Sequence, residues 1–178
     1  MTNYKKYIIG IIVLISILLL NLDSIAQNIR WLQESEVILN QTMEKMLVAA
    51  QSEDKQSLLE LFSKTLRKGN EELDKQADVF LAFIEGDMVG FGTSACVSDE
   101  SVYEDGKKRK VGEGSYWIQT SEKNYYVAIH ECTVDTFNKD NVGVISIYII
   151  EADKWTVDYI YRGDGNWKSG INIDMSVQ

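Results

Sequence analysis

The sequence predicts an α+β domain in which three N-terminal helices pack on a curved antiparallel sheet. Apolar residues recur at three- and four-residue steps before Gly86 and alternate with period two after it. An Asp105-Gly106 pair, the dipeptide that suits a tight hairpin turn, sits between two strand-like runs. Helical segments followed by a block of strands place the helices together on the sheet, whereas alternation of the two would give a parallel one.

The first helix is marked by Leu32, Leu39, Met43, Met46, Leu47 and Ala50, which fall on one face at helical spacing. Ser52, Glu53 and Asp54 break it. Leu58, Leu61, Phe62 and Leu66 then define a second short helix, with Asp54 placed to accept a bond from an orphan amide at its start. Gly69 and Asn70 stop that helix. Leu73, Ala77, Phe80, Leu81 and Ile84 mark a third, with Asn70 as its expected N-cap and Gly86 past its end, where a left-handed residue is favoured.

Val97 to Tyr103 and Val111 to Thr120 flank the Asp105-Gly106 turn and read as a hairpin. Tyr125 to Val134 and Val142 to Ile150 are two further strands, expected to pair antiparallel across the polar loop from Asp135 to Asn141. The tail from Tyr159 to Ile173, interrupted by Gly163, Gly165 and Gly170, either adds an edge strand or covers the end of the sheet.

Ahead of this domain, Lys5 and Lys6 precede an apolar run from Tyr7 to Leu20, and Ser24, Ile25 and Ala26 supply a small-x-small triplet. That layout is a secretory leader, with Gln27 as the first mature residue. The rival reading is an uncleaved signal anchor, although the run is short for a span of about 20 residues. Either way the positive flank stays inside and the rest is exported, so residues 1–26 are leader or anchor and 27–178 one domain, secreted or held on the outer face of the membrane. The formal charge of −9 opposes nucleic-acid binding, because phosphate backbones are repelled on average. No proline occurs, so there is no proline-rich linker to divide the chain.

The element order resembles the nuclear-transport-factor-2-like cone, in which helices close a pocket on a concave sheet. A more specific likeness runs through Phe83 to Val89, Asp105-Gly106-Lys107-Lys108, Tyr116 to Thr120, Tyr125-Tyr126, Val134-Asp135-Thr136, Asp140 to Gly143, Ile147 to Ile150 and Gly170 to Ile173. These motifs resemble the family called domain of unknown function 5104. The resemblance implies small exported or lipid-anchored Gram-positive proteins with that cone and no established activity. A lipid-attachment cysteine is missing after the leader, where Gln27 stands instead.

His130 is the single histidine, and alternation places it with Tyr126, Cys132 and Val134. It either titrates in a pocket, aided by Glu131 if the strand is irregular, or is a hydrogen-bonded sheet residue; the absence of a nucleophile motif favours the second. Tyr116, Tyr126, His130 and Tyr148 are the candidate ligand-binding residues, lining a concave surface while Trp117, Ile145 and Ile147 pack under the helices, or the inverse. Cys96 and Cys132 would form a disulfide if their strands are neighbours; two buried thiols are the alternative. One histidine and two separated cysteines give no metal cluster, and Asp135, Asn138, Asp140 and Asn141 lack the spacing of a calcium loop. The basic run from Lys107 to Lys110 either meets an anionic surface or balances Glu104, Asp105 and Glu113, and Arg162-Gly163-Asp164 reads as a turn.

The expectation is therefore a non-catalytic envelope domain, without cofactor, that binds a small amphipathic ligand or a protein partner. The alternatives are a pocket enzyme of isomerase or dehydratase type, with His130 or an acid as base, and a homodimer joined through its sheet.

Overall fold

The computed structural model describes residues 34–93, 98–154 and 168–173, so the leader, Cys96 and the Arg162-Gly163-Asp164 triplet lie outside the described residues. Met1–Glu34 and Ser35–Gln178 are two compact units. The described structure is mixed α+β, with four helices and a six-stranded sheet.

Helix α1 covers residues 34–51 and buries Leu39, Met43, Met46 and Leu47, the stripe its period foretells. Each such side chain stabilises the fold by about 1.5–3 kcal/mol relative to exposure. The expected second helix is two helices, α2 (Lys55–Glu60) and α3 (Lys64–Gly69). Asp54 caps α2 by accepting from the Ser57 amide at 3.0 Å, and Ser63 caps α3 by accepting from Leu66 at 3.2 Å. The break between them is a sheet contact: the Ser63 amide donates to the Val144 carbonyl (3.1 Å) and the Val144 amide to the Leu61 carbonyl (2.9 Å). Helix α4 (Leu73–Phe83) buries Leu73, Ala77 and Phe80. Asn70 is not its cap but forms a turn just ahead, accepting from the Glu72 amide at 3.1 Å. Gly86 has a φ of 84°.

The strands are β1 (Met88–Thr93), β2 (Ser98–Glu104), β3 (Lys107–Thr120), β4 (Asn124–Asp135), β5 (Gly143–Glu151) and β6 (Gly170–Ile173), in the order β1-β3-β4-β5-β6 with β2 also on β3. By register, β2 pairs with Lys107–Glu113 and β1 with Tyr116–Thr120, so the two share one edge of β3. The turn between β2 and β3 has positive φ at Asp105 (49°) and Gly106 (73°), the geometry an Asp-Gly hairpin requires. β4 and β5 pair antiparallel as expected, but β6 runs parallel to β5, so the sheet is not wholly antiparallel. The long connection after Glu151 makes that possible, because a parallel neighbour needs a crossover of a dozen or more residues.

One face of β3–β4–β5 carries Tyr116, Ile118, Tyr125, Val127, Ile129, Val144, Ile147 and Ile149, which join Leu39, Met43, Met46, Leu58, Phe62 and Phe80 in the core. The Tyr125 hydroxyl fastens the end of α4 to the sheet, accepting from the Glu85 amide (2.8 Å) and donating to the Phe83 carbonyl (3.0 Å).

Gly143 sits at the contact that divides α2 from α3, with a φ of 124°, and a Cβ there would stand 2.8 Å from the Ser63 nitrogen and 2.9 Å from the Leu61 carbonyl oxygen. Gly143→Ala is expected to destabilise by about 2–4 kcal/mol in urea unfolding. Gly69→Ala, where nothing lies within 4 Å, is expected to be neutral or mildly stabilising; equal midpoints for the two variants would contradict the role given to this contact.

Candidate functional site

The four candidate residues do not share a surface. Tyr116 opposes Val127 and points to the helix side, fully buried, whereas Tyr126, His130 and Tyr148 are on the opposite, outer face. Trp117 is on that outer face too, and Ile147 is inside, so the sequence expectation holds for Ile147 and is inverted for Tyr116 and Trp117. The cause is that β4 is buried on both faces from Tyr125 to Ile129, so alternation fixes which residues are grouped but not which group faces the helices.

On the inner face, β3 has glycines at 112 and 114, opposite Glu131 and Ile129. The Tyr116 ring folds back over Gly114, its hydroxyl 2.9 Å from where a Cβ would be, and Leu39 reaches within 3.2 Å of the corresponding point at Gly112. Glu131 is 6% exposed. Burial pushes its carboxyl up to about 7, against a hydrogen bond from Thr42 and the nearby charge of Lys45. Its Oε2 and the Tyr116 hydroxyl have no hydrogen-bond partner among the described residues. The Tyr116 hydroxyl titrates well above its ordinary range, through burial and then the charges of Glu131 and Glu36.

On the outer face, His130 lies between Glu113 and Ser146 in register, with Glu131 turned the other way by regular alternation. Tyr148 is diagonal to both His130 and Tyr126, and its hydroxyl accepts from the Lys168 amide. Tyr126 and Tyr148 are nearly buried, while Trp117, edge-on to Tyr126 at 4.9 Å, is 36% exposed. Cys132 is a buried free thiol, held above its ordinary pKa by burial; Cys96 lies outside the described residues.

The basic run is inside β3 rather than beyond it. Lys107 sits over the Phe137 ring at 5.8 Å, Arg109 is 4.0 Å from Asp135, and Lys110 is buried. Asp135 also accepts from the Phe137 and Asn138 amides (2.8 and 2.9 Å) and from the Asn141 side chain (2.9 Å), so the loop uses its own oxygens. No group of three metal-ligating side chains occurs among the described residues. An open groove of about 750 Å³ lies between α3, α4 and β5 over Leu66 and Ile145. Its amides are engaged: Gln76 accepts from Asn70 (3.3 Å) and from the Ile171 amide (3.1 Å), and Asn141 accepts from Thr65 (2.8 Å).

Residues 45–152 match the family described as Domain of unknown function (DUF5104). The chain belongs to that family. No curated protein matches it. In this DUF5104 domain the match spans α2 through β5, and therefore both Glu131 and the outer face of the sheet. Among the described residues no helix is long and apolar enough to cross a membrane.

From the sequence, Glu131 enters only as a helper of His130 on an irregular strand, not as a site residue in its own right. Its signal was a carboxylate in a largely apolar strand, whose burial needs the helix above it to be known. A carboxyl near 7 can hold or release a proton at neutral pH, and its folding linkage has a definite sign. Between about 4.5 and 7 the folded chain keeps a proton that the unfolded chain releases, so stability falls as pH rises through that window, by as much as about 3 kcal/mol. Glu131→Gln is expected to remove this decline, with urea midpoints at pH 5 and pH 8 drawing together; an undiminished decline would place its origin elsewhere.

Proposed function

We propose that this DUF5104 member is an exported, non-catalytic binding domain of the cell envelope, built as a variant of the nuclear-transport-factor-2-like cone. The observation that carries the reading is the filled inner side of the sheet. Leu39, Met43, Phe80 and Tyr116 are each 0% exposed where such a cone would hold its ligand. A ligand or partner is therefore met at the surface. Helices gathered on one face, and strand irregularities at Lys110/Val111 and His130/Glu131 that bend a sheet, support the cone. The basic and apolar leader supports export.

The enzyme reading keeps one supporting observation, a carboxyl near neutrality at Glu131 whose charge is felt at the Tyr116 hydroxyl. In that reading the base is Glu131 rather than His130. Dimerisation through an open sheet has less support, because Tyr126, Ala128, Tyr148 and Ile150 are already buried within one chain.

The test is recovery of the protein from the envelope of its own cells, followed by intact and native mass spectrometry. The expected result is a chain that starts at Gln27, or an uncleaved chain in the membrane fraction, carrying a retained small molecule or a partner. Recovery of uncleaved protein from the cytosol, with nothing bound, would contradict the proposal.

A further inference from the structure

Where β1 meets β3 and β4, two rows of residues lie side by side on the outer face. One row is Gly92, Trp117 and Tyr126; the next is Gly90, Gln119 and Asn124. Gly90, Gly92, Trp117, Gln119, Asn124 and Ala152 line an open groove of about 480 Å³, within the roughly 300–1,000 Å³ of small-molecule sites.

The glycines lack a packing reason. Among the described residues a Cβ at Gly90 or Gly92 would meet nothing within 4 Å, and neither has a positive φ. Glycine weakens a strand interior by about 0.5–1 kcal/mol, and where no close neighbour explains it, the vacant space beside the backbone suits an incoming ligand. The irregularity at Met88/Gly90 accounts for one of them, not for Gly92. Trp117 presents a partly open indole beside this shelf, edge-on to Tyr126 on its other side. Gln119 and Asn124 are exposed, directly opposite each other, and neither side-chain amide is hydrogen-bonded to another described residue.

Charge decides the ligand class. The chain has 27 acidic and 18 basic side chains, yet every described residue lining this groove is uncharged. Lys123, the neighbouring cation, is bound to Glu85 (2.8 Å) and Glu151 (2.9 Å). Phosphates and carboxylates find no counter-charge among the described lining residues, and an amine or metal ion would meet carboxylates only in the adjoining pocket, at Glu122, Glu151 and Asp153. A flat aromatic face beside two amides, each able to donate and accept, matches a ring with one apolar C–H face and a rim of hydroxyls. We propose that Trp117, Gln119 and Asn124, beside the Gly90/Gly92 shelf, form a binding platform for a neutral saccharide. The assignment rests on the binding-domain reading above and names its ligand class.

The test titrates full-length protein, in a detergent without sugar headgroups, with tetramers of glucose, mannose and N-acetylglucosamine while side-chain N–H resonances are followed by NMR. At least one tetramer is expected to shift the Trp117 indole and the Gln119 and Asn124 amides saturably. Trp117→Ala is expected to weaken that binding by about tenfold or more, equivalent to about 1.4 kcal/mol. Gly92→Val should block it with no fall in thermal midpoint, which separates an occupied shelf from a structural one. The proposal is overturned if no tetramer moves these resonances at millimolar concentration, or if Gly92→Val binds as well as the parent. Shifts confined to the Gln76 and Asn141 side-chain amides would also overturn it while leaving a binding domain with its site in the other groove. A peptide fraction that moves the three resonances when no sugar does would make the platform a peptide site and end the saccharide assignment.

Discussion

The seating of α1 against the inner face of β3–β4 is the constraint on which the rest of this structure depends. It needs β3 to be bare at Gly112, where Leu39 comes within 3.2 Å of the missing Cβ, and at Gly114, where the Tyr116 ring comes within 3.1 Å of it. With those positions empty, Leu39, Met43 and Met46 reach the sheet and fill the space beneath the helix. Close packing of this kind stabilises strongly and leaves little room for a guest. It also encloses Glu131 and the Tyr116 hydroxyl, two polar groups whose burial costs free energy that the surrounding apolar contacts must offset.

A second consequence is the division of labour between the faces. The inner face is devoted to core and carries the proton-binding carboxyl; the outer face is buried through its middle, at Tyr126, Ala128 and Tyr148, and opens toward β1 and β2. Glycines at 90 and 92 keep that end shallow, so a half-exposed tryptophan remains beside uncharged amides in a strongly acidic protein. The same strand, β3, thus supplies glycines to the core on one side and an aromatic platform on the other. Its length, from Lys107 to Thr120, lets it pair with β2 and β1 in turn.

Local chemistry was legible in the sequence where it acts alone. The α1 stripe, the Asp54 cap, the Asp105-Gly106 turn and the antiparallel β4–β5 pair follow from spacing, side-chain hydrogen bonding and backbone freedom. Features set by distant partners were not. The second helix divides because Val144 takes its backbone bonds from Leu61 and Ser63, more than seventy residues away, and β6 is parallel because of how the chain returns from β5. Tyr116 was grouped with Tyr126 and Tyr148 because all are aromatic strand residues, but an even-numbered position on β3 and one on β4 face opposite ways in this register. β1 was missed as a separate strand because Gly90 and Gly92 dilute its pattern, and those glycines were the signal that a shelf lay there.

The central claim is that the helix–sheet interior is filled, so that recognition takes place at the surface. Xenon enters apolar cavities that side chains leave empty. Methyl NMR spectra of the full-length protein under xenon pressure therefore test the claim most directly. The account predicts no saturable shift at Leu39, Met43, Met46, Ile129 or Ile147, whereas a saturable shift confined to those methyls would reveal a pocket under α1 and contradict it.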